Sequence, residues 1–273
     1  MNLLTPWTPV IWLALAALVL QHVGRRLAPW ARTAVAAAGV AGAAAFAIAL
    51  RVGPATAPVE FLWPSSLGRG PSLAADAEMF PFAVLVVLML AGAVAVESSA
   101  WARWPRALAL AAASLLSIYA ENLLALALAW IALEAFLVAQ GTGIAPEDEE
   151  ISLGRVSAFW GIVGLVGIVW AWHETRGASL RAYEVADWTP RARTLLMGVA
   201  LIRMGAFPWV SRRLFGGASG SSPVDAASLL SVIAGVALAQ RVAALGAPTH
   251  ATVLLWLGAA GALVCGLCAW LTP

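Results

Sequence analysis

Two ionisable side chains lie deep inside apolar stretches of the sequence, Glu134 in AWIALEAFLVAQ and Arg203 in LIRMGAFPW. Placing an arginine at the centre of a bilayer costs about 3 to more than 10 kcal/mol. A buried carboxyl group can become neutral, whereas arginine keeps its proton, so Arg203 needs a counter-ion more than Glu134 needs a cation. Glu134 is the acidic residue that lies in the middle of an apolar segment, so it is the expected counter-ion. We therefore expect the Glu134 and Arg203 side chains to meet between the fifth and seventh apolar segments.

Such a pair has two interpretations, and the residues alone leave both open. It is either a buried ion pair that fixes helix register or part of a proton or cation path, which intramembrane acid–base pairs commonly mark. Pro208 follows Arg203 by five residues and predicts a broken seventh helix, because proline removes a backbone hydrogen bond; a simple helix end explains it equally well. Three other polar residues are secondary candidates: Glu121, Ser231 and Gln240.

The composition indicates an integral membrane protein. Of the 273 residues, 62% are hydrophobic and 11% are charged, and the mean hydropathy is +0.88. A soluble domain carries about 25% charged residues, so this chain has too few to cover its surface in water. All sixteen basic residues are arginine and the net charge is +2. They form no cluster typical of a nucleic-acid partner, so we expect membrane lipid and not nucleic acid around this chain.

No motif points to catalysis, a cofactor or a metal. The sequence lacks a phosphate-binding glycine loop, a nucleophile–base arrangement and a dinucleotide motif, so we expect neither a catalytic centre nor a cofactor. Cys265 and Cys268 form CGLC in the last apolar segment, and the three histidines lie near segment ends. Zinc needs four ligands at defined spacing, so we interpret the cysteines as small packing residues.

Nine apolar segments approach the roughly 20 residues that a helix needs to cross a bilayer. They lie near 9–23, 33–50, 80–97, 106–120, 122–140, 156–173, 194–209, 224–243 and 251–271. They predict an all-α membrane protein of about nine transmembrane helices. We interpret the acidic run EDEE at 147–150 as a solvated loop. The N-terminal segment has no basic region before it and is interpreted as a retained span, and the arginines that follow it favour an N-terminus outside the membrane.

Several motifs occur in an order and spacing that resemble a known family. MGVALIRMGAFPWVSRRLFGGASGSSPVDAASLL places Arg203 five residues before Pro208, and Pro223 of a Ser-Pro-Val opens the next segment fifteen residues later. SIYAENLLALALAWIALEAF runs from Asn-Leu-Leu to Trp130, and WHETRGASLRAYE carries a glycine and a leucine in a polar loop. These stretches resemble the antiporter-like, proton-conducting membrane subunits of respiratory complex I, a family shared with multisubunit Na+/H+ antiporters and membrane-bound hydrogenases.

The resemblance implies an organisation and a role. Residues 1–105 would form three N-terminal transmembrane helices, 106–245 one antiporter-like five-helix repeat with a broken seventh helix, and 246–273 a C-terminal transmembrane helix. Relatives continue through a second inverted repeat, so the chain resembles a form truncated after the first, with the other half supplied by a partner chain. The implied role is a subunit of an ion-translocating complex in the bacterial inner membrane, non-catalytic within a proton-translocating oxidoreductase. Alternatives are a membrane subunit that energises inorganic carbon uptake with a soluble carbonic-anhydrase-like partner, and an autonomous small-solute transporter.

The sequence also departs from the family pattern. The family's glutamate position falls on Ile131, so Glu134 lies three residues further along, on what we expect to be the same helix face. Arg203 replaces a lysine, the eighth segment lacks the family's central lysine or histidine, and Val210 replaces a histidine. Lysine relays a proton because burial can move its pKa, whereas arginine stays protonated. The resemblance therefore implies either an electrostatic switch in a path that another chain completes, or a scaffold with a vestigial pair.

Overall fold

A computed structural model of the chain describes residues 5–52, 58–60, 70–96, 104–141, 147–175, 180, 188–204 and 226–245. Within these ranges the protein is mostly helical. The helices are α1 (Trp7–Val23), α2 (Pro29–Val52), α3 (Phe80–Val96), α4 (Trp104–Tyr119), α5 (Leu123–Gly141), α6 (Glu147–Thr175), α7 (Pro190–Arg203) and α8 (Ala226–Ala244). Short 3-10 turns cover Gly24–Arg26 and Ala77–Met79.

Helices occupy eight of the nine predicted segments, and the ninth, 251–271, lies outside the described residues. Two of the described helical segments, Trp7–Arg26 and Pro29–Val52, are long and apolar enough to cross a membrane. Shorter apolar helical stretches occupy Ala77–Gly92, Leu123–Phe136 and Leu230–Ala244. The helical fold class is therefore confirmed, while the number of nine membrane-spanning helices stays a prediction.

Three sequence expectations differ in detail from the structure. The acidic run at 147–150 forms the first turn of α6 and not a loop, and acidic residues at a helix N-terminus are favoured by the helix dipole. The polar stretch between α2 and α3 contains two short antiparallel strands, β1 (Val59–Glu60) and β2 (Ser72–Leu73), so the fold is not purely helical. The described part of the seventh helix ends at Arg203, and Pro208 lies outside the described residues.

Prolines and a threonine cap mark several helix starts. Pro29 and Pro190 are the first residues of their helices, where the missing N–H costs nothing. Thr189 caps α7, accepting a hydrogen bond from the Ala192 amide at 3.1 Å. Its hydroxyl also donates to Glu174 Oε2 at 2.9 Å, and this hydrogen bond holds the pKa of Glu174 below its usual value. The end of α6 is thus tied to the start of α7.

Helix α4 lies at the centre of the described bundle, where it packs against α1, α3, α5 and α8. Most of its residues are buried, including Leu108, Leu110 and Leu115. Helices α5, α6, α7 and α8 each pack on the next, and α5 and α8 also pack on α4. Helix α6 therefore packs on both α5 and α7.

The outward surfaces of several helices are apolar. Large hydrophobic side chains are exposed along α1, α2, α3, α5 and α6, and α6 alone exposes Phe159, Ile162, Val166, Val169 and Trp170. In an apolar stretch of 18 residues within each of Trp7–Arg26 and Pro29–Val52, only 39% and 28% of the residues are buried. Monomeric soluble proteins rarely expose contiguous apolar surface on this scale.

Candidate charge site between α5 and α7

The structure brings Glu134 and Arg203 together, as the sequence predicts. Arg203 Nη1 lies 2.9 Å from Glu134 Oε1, and the two side chains are 4% and 18% exposed. Glu134 lies eleven residues after Leu123, the first residue of α5, or about 16 Å along the helix. Arg203 is the last residue of α7, which packs on α6 as α5 does, and its side chain meets the Glu134 carboxylate directly.

The ring of Trp130 lies against the Arg203 guanidinium. Trp130 precedes Glu134 by one helical turn, so both side chains leave the same face of α5. The Arg203 guanidinium carbon lies 3.6 Å from the centroid of the indole ring, well within cation–π distance. The indole Nε1 donates a hydrogen bond of 2.8 Å to the Gly161 carbonyl on α6. The cation therefore has two partners on α5, a carboxylate and an aromatic face.

A row of glycines on α6 makes room for these side chains. A Cβ added at Gly161 would lie 2.7 Å from Glu134 Cδ, and one added at Gly164 would overlap the Trp130 ring. At Gly167 it would lie 2.8 Å from Val199 on α7. The glycine face of α6, meaning Gly161, Gly164 and Gly167, therefore allows α5 and α7 to approach close enough for the ion pair. The signal for it in the sequence is the spacing of three in GIVGLVG.

Helix α8 closes the other side of Arg203 without contributing a charge there. A Cβ at Gly235 would lie 3.0 Å from Arg203 Cβ and 2.9 Å from the Met204 amide nitrogen. Ser231, one turn earlier, is buried. The secondary candidate Gln240 is exposed and remote from the pair, whereas its neighbour Arg241 is buried.

The ion pair uses only part of its hydrogen-bonding capacity. Glu134 Oε2, Arg203 Nε and Arg203 Nη2 are buried and have no hydrogen-bond partner within the described part of the chain. Buried polar atoms are normally paired, and exceptions tend to occur at functional sites. Chemically, the carboxyl group can take up a proton, while the guanidinium stays charged in both states.

A second buried cluster surrounds Glu121 and Arg241. The Ser72 hydroxyl donates to the Glu121 carboxylate. Arg241 Nη2 lies 3.5 Å from Asp76 Oδ2 and donates to the Ile118 carbonyl at 2.8 Å. Arg241 Nη1 donates to the Ala120 carbonyl, so Arg241 also satisfies carbonyls at the C-terminal end of α4.

The segment around β2 is held over this cluster. The Glu121 amide donates to the Ser72 carbonyl at 2.9 Å, and Asn122 Nδ2 donates to the Gly70 carbonyl at 2.7 Å. Ser72 and Leu73 are almost fully buried. A cavity of about 180 Å³ lies beside the segment, with polar lining from Arg51, Asp76 and Tyr119. This cluster accounts for Glu121, and it contains Asp76 and Arg241, which sequence reasoning did not select.

We expect Arg241→Gln to lower the free energy of unfolding by about 2 kcal/mol, because it leaves Asp76 and two carbonyls with weaker partners. Gln240→Ala changes the exposed neighbour and is expected to stay within about 0.5 kcal/mol of the parent. Denaturant titration in mixed micelles measures both. Equal effects of the two substitutions would show that the Arg241 contacts do not stabilise the bundle.

Ile131, the position at which the motif resemblance would place a glutamate, differs from Glu134 in its surroundings. Ile131 is 49% exposed on the outside of α5, while Glu134 faces α6 and α7. Residues three apart are neighbours on a helix surface, so the structure shows a difference in exposure between these two positions and leaves the expectation of a shared face a prediction. The acid of this chain instead lies one turn after Trp130, on the side of the helix that faces Arg203.

Within the described residues, no group of three or more His, Cys, Asp or Glu side chains is placed to hold a metal ion. Cys265 and Cys268 lie outside those residues. No family model matches the chain, and no curated protein matches it.

Proposed function

We propose that the chain is an antiporter-like integral membrane subunit of a larger complex that translocates protons or cations. The observation that carries the proposal is the buried ion pair between Glu134 and Arg203, at 2.9 Å on helices that flank α6. Intramembrane acids and bases are expensive and commonly mark ion paths. The motif resemblance described above supports the same role.

The apolar outer surface supports placing the chain in a membrane. Exposed large hydrophobic residues on five helices would face lipid instead of water. In this proposal about nine helices cross the bacterial inner membrane, with the N-terminus outside. Other membrane subunits of a hetero-oligomeric complex cover part of the surface, and one of them supplies the second repeat.

The proposed mechanism is an electrostatic switch. While Glu134 is ionised, its charge compensates Arg203 across the α5–α7 gap. When Glu134 takes up a proton, the attraction is lost while the guanidinium stays charged. The change in the local field then alters the affinity of neighbouring sites for ions, including sites on a partner chain. Arg203 itself relays no proton, which distinguishes this site from one built on lysine.

Glu134→Gln is expected to abolish coupled proton uptake by the assembled complex, because glutamine keeps the shape of the side chain but cannot ionise. Proton uptake into vesicles containing the purified complex is the measurement. Glu174→Gln is the matched control, since it removes a carboxylate paired with exposed Arg191 at the C-terminal end of α6. Normal uptake and normal assembly in the Glu134→Gln variant would contradict the switch and leave a scaffold role.

Purification in mild detergent tests which complex the subunit belongs to, because its partners should co-purify with it. The proposal predicts that quinone-dependent, iron–sulfur or antiporter membrane subunits co-purify with it. A zinc-binding soluble partner would instead indicate inorganic carbon uptake, and a lone monomer an autonomous transporter.

A further inference from the structure

We propose that Trp130 is a positioning residue of the switch: its indole face holds the Arg203 guanidinium in place when Glu134 is neutral. The inference rests on the proposed function for its role in translocation, but its physical basis is independent of it. A permanently charged guanidinium in a medium of low dielectric constant needs compensation in both protonation states of its partner. The carboxylate supplies it in only one.

The geometry suits this role. The guanidinium carbon lies 3.6 Å from the ring centroid, and both Trp130 and Arg203 are buried. Cation–π attraction is strongest where both partners are removed from water, and tryptophan gives the strongest of the three aromatic faces. The contact between Trp130 and Arg203 therefore meets both conditions that strengthen a cation–π interaction.

The orientation of the ring is set by α6 and not by Glu134. The indole Nε1 donates to the Gly161 carbonyl at 2.8 Å, which fixes one edge of the ring. The adjoining ring atoms Cε2, Cζ2 and Cη2 lie where a side chain on Gly164 would be, so α6 packs closely along this edge. Neither contact involves the carboxylate, so protonation of Glu134 leaves the ring under the guanidinium.

The same contact explains why arginine suits this position. A planar guanidinium can stack on an indole while its edge donates to a carboxylate, whereas a lysine ammonium is a point charge with no face to stack. Trp130 and Glu134 leave the same face of α5 one turn apart, so the indole lies 3.6 Å from the guanidinium carbon while the carboxylate lies 2.9 Å from Nη1. The residue pair therefore selects arginine over lysine at position 203.

A double-mutant cycle tests the inference. Trp130→Leu is made in the parent and in the Glu134→Gln variant, and the unfolding equilibrium constant is measured for all four proteins in detergent. Because the indole is then the partner that still offsets the positive charge, we expect Trp130→Leu to raise this constant, and so lower stability, about tenfold more in the Gln background than in the parent. Equal losses in the two backgrounds would reduce Trp130 to a packing residue.

Two further variants keep the test decisive. Trp130→Phe retains an aromatic face but loses the hydrogen bond to Gly161. In the Glu134→Gln background we therefore expect Trp130→Phe to show little of the additional destabilisation that Trp130→Leu shows. Trp104→Leu removes another buried indole, on α4, and should be additive with Glu134→Gln. Non-additivity of the same size at Trp104 would overturn the inference by showing general cooperativity of the bundle.

A functional readout separates this inference from the proposed function. In the assembled complex, Trp130→Phe is expected to shift the pH profile of proton uptake, because a weaker aromatic face makes Arg203 depend more on the Glu134 carboxylate. An unchanged pH profile would contradict the role of Trp130 in the switch but not the proposed function itself. If the unfolding cycle is non-additive but the parent complex takes up no protons, the proposed translocation is rejected, whereas the role of Trp130 in holding Arg203 is supported.

Discussion

Glu134→Leu is expected to lower the free energy of unfolding by about 3–5 kcal/mol, because it leaves the Arg203 charge buried without its counter-ion. The Arg203 side chain is 4% exposed, so water cannot replace the carboxylate in this packing. The Trp130 face remains, but an aromatic face contributes only about 2 kcal/mol to a desolvated cation. We therefore expect little folded Glu134→Leu protein in membranes at growth temperature.

The double variant Glu134→Leu/Arg203→Met is the matched control. It removes both charges and replaces them with apolar groups of similar volume, a change that is often neutral or stabilising for buried ion pairs. We expect its stability to be close to that of the parent. A double variant as unstable as Glu134→Leu would mean that the substitution acts through packing and not through an uncompensated charge.

Gly164→Val has the second large expected effect, a loss of about 3 kcal/mol. Its side chain would overlap the Trp130 ring. Either α6 moves away from α5, or the indole turns and gives up both the Gly161 hydrogen bond and the contact with Arg203. Stability in detergent and the yield of folded protein are the measurements.

Gly198→Val provides the comparison, because a Cβ at Gly198 on α7 meets nothing within 4 Å. Both substitutions place the same β-branched residue inside a helix, so differences in helix propensity cancel. We expect the Gly198 variant to lie within about 1 kcal/mol of the parent. Similar losses at the two positions would contradict the close packing of α5 on the glycine face of α6.

The central pair could be predicted from the sequence for a simple physical reason. Glu134 and Arg203 are the ionisable residues that interrupt apolar segments near their middle, and a lone buried cation restricts the choice of partner. Helix positions followed from the same apolar runs. The start of α6 did not, because the acidic run at 147–150 is compatible with either a loop or a first helical turn.

The supporting residues could not be selected from the sequence. Trp130 is one of fourteen tryptophans, and nothing in its neighbours shows that its ring lies under a guanidinium. Arg241 lies near a helix end, where a charge is normally relieved by hydration. In the structure its guanidinium instead reaches the carbonyls at the end of α4 and the Asp76 carboxylate, a tertiary contact with no local sequence signal.

Solid-state NMR of the protein in lipid bilayers tests the central claim most directly. With glutamate labelled by ¹³C at Cδ and arginine labelled by ¹⁵N in the guanidinium, dipolar recoupling detects carboxylate–guanidinium pairs at ion-pair distance. Glu134–Arg203 and Glu174–Arg191 are two such glutamate pairs, and the Glu134→Gln variant assigns the first. We predict a short-range coupling that disappears in this variant. A parent spectrum identical to that of Glu134→Gln would show that the Glu134 carboxylate and the Arg203 guanidinium do not meet in the membrane. That result would contradict the ion pair on which the proposed switch depends.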